Sequence, residues 1–125
     1  GLPQVNVDKN RGVLDAGRRA VEIARAAGVE LGFGTDLLGE AMPWQNREFA
    51  IRAELEPAVA VLRSMYLTNV QLCGLEGRVG RVEPGFEADI VLSEVDPLER
   101  LAELAEPEAT LAAIISRGRP IRLAL

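Results

Sequence analysis

Asp36 closes the stretch Gly32-Phe33-Gly34-Thr35-Asp36, a short apolar segment that runs into a Gly-Thr-Asp turn and stops on a carboxylate. A carboxylate directly after the C-terminal end of a buried strand sits where α/β barrels and open α/β sheets build their active sites. Gly34 lets the backbone approach a ligand, and Thr35 is placed to fix the turn by a local hydrogen bond. Asp36 is therefore a candidate catalytic group and a candidate metal ligand, because a fixed carboxylate can bind a divalent cation or accept the proton of an activated water. The residues alone leave a second role open, an Asp that caps the following turn, which is common in Gly-x-Asp sequences.

The rest of the inventory narrows the chemistry. The chain has no histidine, so the commonest general base and metal ligand are absent from its 125 residues. Cys73 is the one cysteine, which excludes an internal disulfide and suggests a reducing, cytoplasmic setting. Fourteen basic and nineteen acidic residues give a net charge of -5, which argues against nucleic acid or an anionic membrane surface as partner. Lys9 is the only lysine, a bias toward Arg that reads as coding preference rather than chemistry. No apolar run approaches the roughly 20 residues of a membrane span. The start at Gly1 fits an expression remnant or a truncated reading frame.

Gly32-Phe33-Gly34 is not a dinucleotide fingerprint, since no helix opens after it and the third glycine is missing. Glu54 and Glu56 read as a solvated surface pair. Arg47 and Glu48 could face a substrate beside Asp36, although an exposed helix start is the simpler role. Arg117 and Arg119 read as the polar tip of a hairpin.

Positioning these residues requires a mixed α/β chain. A hydrophobic fraction of 48% with 26% charged residues is that of a globular protein, and at 4% aromatic its core must be aliphatic. Residues 1–12 read as a loop. Residues 13–27 carry apolar side chains at helical spacing, ended by Gly28 as C-cap, and 29–34 read as a buried parallel strand. Gly39 and Pro43 mark an irregular loop over 37–45. Asn46 is placed to cap a helix over 47–55, and Pro57 to open another to residue 72, burying Val59, Leu62, Met65, Tyr66 and Val70.

Beyond Cys73 the chain breaks into short segments. Residues 79–82 lead to the Glu83-Pro84-Gly85 turn, 88–92 read as a strand, 96–104 as a short helical or irregular stretch, and 111–116 with 120–123 as a hairpin about Arg117-Gly118-Arg119.

Ala26-Ala27-Gly28-Val29, Gly34-Thr35-Asp36, the run from Gly74-Leu75 through Val79-Gly80-Arg81-Val82-Glu83-Pro84-Gly85-Phe86-Glu87-Ala88-Asp89, and Asp96-Pro97-Leu98 together resemble the C-terminal third of the amidohydrolase superfamily. Gly34-Thr35-Asp36-Leu37-Leu38-Gly39 further resembles its prolidase-like branch, which cleaves dipeptides or N-acyl amino acids. The resemblance covers nearly the whole chain. It implies an α/β fold: the C-terminal part of a (β/α)8 barrel, with its last helix-strand-helix units in residues 1–73, and part of a small β-sandwich domain in 74–125. It also implies that Asp36 follows the eighth barrel strand, binds a divalent metal, expected to be zinc with one or two ions, and takes the proton of the attacking water.

The family's remaining ligands are a His-x-His pair, a carboxylated Lys or Glu, and two further His. None of these has a counterpart here, since Lys9 does not match the lysine position. The expected partners are a small amide or dipeptide substrate and an N-terminal portion of the same enzyme. The chain alone is expected to be inactive, and to expose the apolar faces of 13–27 and 58–72 and so to self-associate. Other branches, imidazolonepropionase-like or deaminase-like, and a non-catalytic α/β module remain as alternatives.

Overall fold

The computed structural model describes the backbone of residues 4–123 and the side chains of residues 12–123. The chain divides into two compact units, Gly1–Leu31 and Gly32–Leu125.

The first unit is built on helix α1, Gln4–Ala26. It begins well before residue 13, so residues 4–12 are helical and not the expected loop; after Pro3 no proline interrupts the run, and Gly12 alone costs only about 1 kcal/mol. Gly28 ends the helix as expected. It adopts φ +71, its N–H donates to the Arg25 carbonyl and the Val29 N–H to that of Ala24, the paired bonds of a Schellman cap. Leu14 and Ile23 on this helix are exposed.

Residues 29–34 form no strand. A parallel strand needs a neighbouring strand to bond its backbone, and the described residues supply none beside it. A 3-10 turn, Gly39–Trp44, lies in the segment expected to be irregular. Helix α2, Arg47–Ala53, follows. Asn46 stands at its N-cap position, yet its backbone is already helical (φ -70, ψ -13) and its side chain caps nothing. The helix ends two residues earlier than expected.

The third helical run is continuous but not uniform: α3 (Ala58–Arg63) passes through a π turn (Ser64–Thr68) into α4 (Asn69–Leu72). Pro57 is the N-cap, with ψ 142, and not the first helical residue. The buried face also differs from the expected one. Val61 and Ser64 are buried, whereas Val59 and Tyr66 are exposed; the π turn shifts the register only after Arg63 and so bears on Tyr66, while in α3, ahead of that turn, the chain buries Val61 in place of Val59.

Residues 78–89 carry turns but no strand. The Phe86 N–H donates to the Glu83 carbonyl across Pro84-Gly85, with Gly85 at φ +96, as a type II turn requires. Gly80, at φ +89, is fixed by contact: a Cβ there would lie 2.5 Å from the Tyr66 carbonyl oxygen and 2.9 Å from Val70. Gly80→Ala is expected to cost about 2 kcal/mol or more, read as a lower urea midpoint at unchanged slope.

The sheet is three-stranded and antiparallel, in the order β1-β2-β3, with β1 at Ile90–Ser93, β2 at Leu111–Ser116 and β3 at Arg119–Leu123. Ile90 pairs with Ile115 and Val91 with Ile114, and a bulge follows Leu92. The β2-β3 hairpin turns on Arg117-Gly118, both at positive φ, the requirement of a type I′ turn. A 3-10 turn (Leu101–Ala105), packed against α2, and the short helix α5 (Pro107–Thr110) connect β1 to β2. The Glu103 carboxylate hydrogen-bonds the exposed Arg100 side chain and raises its pKa above the ordinary arginine value.

Among the described residues the buried apolar ones are few: Val61, Val95, Leu101 and Ala113. Leu14, Ile23, Val59 and Leu72 stay 55–72% exposed, so the chain in isolation is expected to self-associate. A single sharp monomer in sedimentation velocity at micromolar concentration would contradict this. Among the described residues no helix is long and apolar enough to cross a membrane.

Candidate functional site

Although no strand pairs with Gly32-Phe33, its backbone is held by side chains. The Phe33 N–H donates to Asn69 Oδ1 at 2.9 Å, and Asn69 Nδ2 donates back to the Phe33 carbonyl at 2.7 Å. Arg52 Nη1 donates to the Gly32 carbonyl at 3.1 Å. Gly32 has to be glycine for this: a Cβ would lie 2.8 Å from Asn69 Oδ1 and 3.1 Å from a Leu72 methyl. The Phe33 ring packs against Phe49 at 4.8 Å between centroids, with the Arg52 guanidinium 5.9 Å from its own centroid.

Arg52 is the hub of this arrangement and is 4% exposed. Its Nε pairs with Glu56, Nη1 lies 3.5 Å from Glu48, and Nη2 donates to Ser64 Oγ at 3.4 Å. The Ser64 hydroxyl donates in turn to the Ala60 carbonyl. Glu56 is therefore buried and ion-paired, not part of a solvated pair with Glu54; the signal in the sequence is the i, i+4 ladder Glu48, Arg52, Glu56, which runs from α2 into the turn after it. Arg47 is exposed and stacks its guanidinium 4.2 Å above the Trp44 ring.

Three residues past Phe33, Asp36 takes a left-handed backbone at φ +53, which Asp tolerates better than most residues. The Thr35 hydroxyl accepts the Leu37 N–H at 3.4 Å, the local bond anticipated for this turn. Asp36 itself is exposed. It does not cap the helical turn that follows: the N-cap position there is Leu38, with no side-chain cap bond. An apolar cavity of about 290 Å³, lined in part by Phe49, Leu62, Met65 and Leu104, does not include Asp36.

In the distal motif run, Asp89 has a structural role. Its carboxylate accepts the Arg117 N–H at 2.8 Å, and the Ala88 carbonyl accepts the Gly118 N–H at 2.9 Å, so the Ala-Asp pair fastens the hairpin tip. Arg78 and Glu87 bridge the intervening loop at 2.5 Å.

Residues 2–120 match the model of the amidohydrolase family. The chain belongs to the amidohydrolase family. This amidohydrolase chain is 35% identical, over 98% of its length, to two solved structures at a TM-score of 0.84, one described as an uncharacterized protein and one as a prolidase complexed with N-methylphosphonate-L-proline. It is also 26% identical over 110 residues to ochratoxinase of Aspergillus niger, a match that takes in 87% of this chain. It spans 30% of the length of the solved chains and 23% of that of the ochratoxinase.

Amidohydrolases are generally metal-dependent, and the described residues do not complete a metal site. No three His, Cys, Asp or Glu side chains among them come together around a common point. Asp36 offers one exposed carboxylate, suited to a divalent cation in type but insufficient by itself to complete a site.

Proposed function

We propose that this chain is the C-terminal portion of a metal-dependent amidohydrolase of prolidase-like type, one that hydrolyses the amide C–N bond of a dipeptide or N-acyl amino acid. The observation that carries this reading is the likeness, over nearly the whole chain, to a structure described as a prolidase with a proline-derived phosphonate bound. A phosphonate on the proline nitrogen has a tetrahedral centre where an amide substrate has its carbonyl carbon, as the transition state of amide hydrolysis does.

On this reading residues 1–73 are the last units of a (β/α)8 barrel and 74–125 part of its β-sandwich. The residues 29–34 pair as the eighth strand once the rest of the barrel is present. The metal, zinc first among candidates, takes most of its ligands from outside this chain and Asp36 as one of them. When bound, such an ion polarises the carbonyl and lowers the pKa of water.

Asp36 acts through its carboxylate. It accepts a proton from the attacking water as the C–O bond forms and returns that proton to the amine nitrogen as the C–N bond then breaks. Exposure of the carboxylate and the lack of a capping bond leave it available for this exchange.

A panel of Xaa-Pro dipeptides and N-acyl amino acids, offered to the complete metal-loaded polypeptide, tests the assignment. Turnover of at least one of these classes is expected. Activity confined to cyclic amides or to amine-bearing ring substrates would assign the chain to a different branch.

A further inference from the structure

Ser64 and Asn69 are five residues apart, a separation that in a regular α-helix places side chains about 140° apart. Here they serve one neighbourhood: Ser64 accepts a hydrogen bond from Arg52, which also bonds the Gly32 carbonyl, while Asn69 bonds both backbone groups of Phe33. The π turn Ser64–Thr68 makes this possible. Its i, i+5 closure, in which the Asn69 N–H donates to the Ser64 carbonyl, brings residues five apart onto one face. Without the extra residue in the turn, the carboxamide of Asn69 would point away from Phe33.

The two bonds on Phe33 are those a strand neighbour would supply, delivered by one side chain from 36 residues further along the chain. Gly32 completes the fit, since any Cβ there collides with Asn69 Oδ1. Between this anchored dipeptide and Asp36 lie only Gly34 and Thr35, so the anchor governs the left-handed turn in which Asp36 is presented.

We propose that Asn69, brought into register by the π turn, is a positioning residue that clamps the Phe33 backbone and so holds the Asp36 carboxylate in place for hydrolysis. This rests on the reading of Asp36 as the reacting carboxylate. Arg52 supports the same dipeptide from its Gly32 side.

The test compares the complete wild-type polypeptide with Asn69→Leu, which removes both bonds, Asn69→Asp, which keeps an acceptor for the Phe33 N–H but loses the donor, and Gly32→Ala, which forces the clamp open from the loop side. In Asn69→Leu and Gly32→Ala the Phe33 amide is expected to exchange about tenfold to a hundredfold faster, in keeping with the loss of one to two hydrogen bonds. The amide-to-α-proton coupling of Asp36, which reports φ, is expected to leave its wild-type value in both. Turnover number should fall about tenfold to a hundredfold with KM within twofold, and Asn69→Asp should lie between wild type and Asn69→Leu. Unchanged exchange and coupling in both Asn69→Leu and Gly32→Ala would overturn the clamp, as would faster exchange with an undiminished turnover number. A wild-type protein that hydrolyses no amide would remove the proposed function, while exchange and coupling would still decide whether Asn69 sets the Asp36 turn.

Discussion

Asp36→Asn in the metal-loaded complete polypeptide is expected to lower turnover by about 10²–10⁴-fold, the range over which a positioned acid-base group contributes. The substitution isolates the chemistry because Asn matches Asp in shape and tolerates the left-handed backbone at φ +53 equally well. The turn, its Thr35 to Leu37 bond and the Phe33 anchor should all persist. What is lost is the negative charge and the basic oxygen. A variant retaining near wild-type turnover would show that the carboxylate takes no part in the reaction.

Arg52→Met is expected to give the largest loss of stability, about 3–5 kcal/mol, because it removes the guanidinium paired with a buried carboxylate. Arg52 and Glu56 have side chains only 5% and 3% exposed, so the pair is screened little by solvent. The same change also removes the donor to the Gly32 carbonyl and to Ser64. Pairing it with Glu56→Leu removes the buried charge as well and should recover much of the loss, as buried ion pairs often yield to apolar pairs of like volume. Urea unfolding of the two single variants and the double variant measures the coupling directly. An Arg52→Met midpoint within experimental error of wild type would mean that the pair is not buried in solution.

The elements legible in the sequence were those fixed locally. The Gly28 cap, the Glu83-Pro84-Gly85 turn and the Arg117-Gly118 hairpin each follow from residues that tolerate positive φ or preset it, and each stands where expected. The elements that differ depend on distant partners. Residues 29–34 have the composition of a buried strand but, among the described residues, no strand beside them; side chains from α2 and α4 bond the backbone of Gly32 and Phe33. In 64–72 the buried face departs from 3.6-residue periodicity because that period assumes a regular helix, and the π turn breaks it after Arg63.

At the candidate site the same division holds. Asp36 and its Thr35 bond could be read from five consecutive residues. Asn69 could not, since nothing in its immediate neighbours announces contact with Phe33. Glu56 was readable in principle from its spacing to Arg52, but its burial depends on how α2 packs against residues 101–105. Asp89, conspicuous in the motif run, fastens a hairpin.

On the proposed function, this chain supplies one corner of a metal centre whose other corners lie in other segments of the same enzyme. Calorimetric titration of zinc into the 125-residue chain and into the complete polypeptide tests it most directly. The expected result is no stoichiometric site in the chain alone and one or two tight sites in the complete protein, weakened by Asp36→Asn. A tight one-to-one site in the isolated chain, or sites in the complete protein indifferent to Asp36, would contradict it.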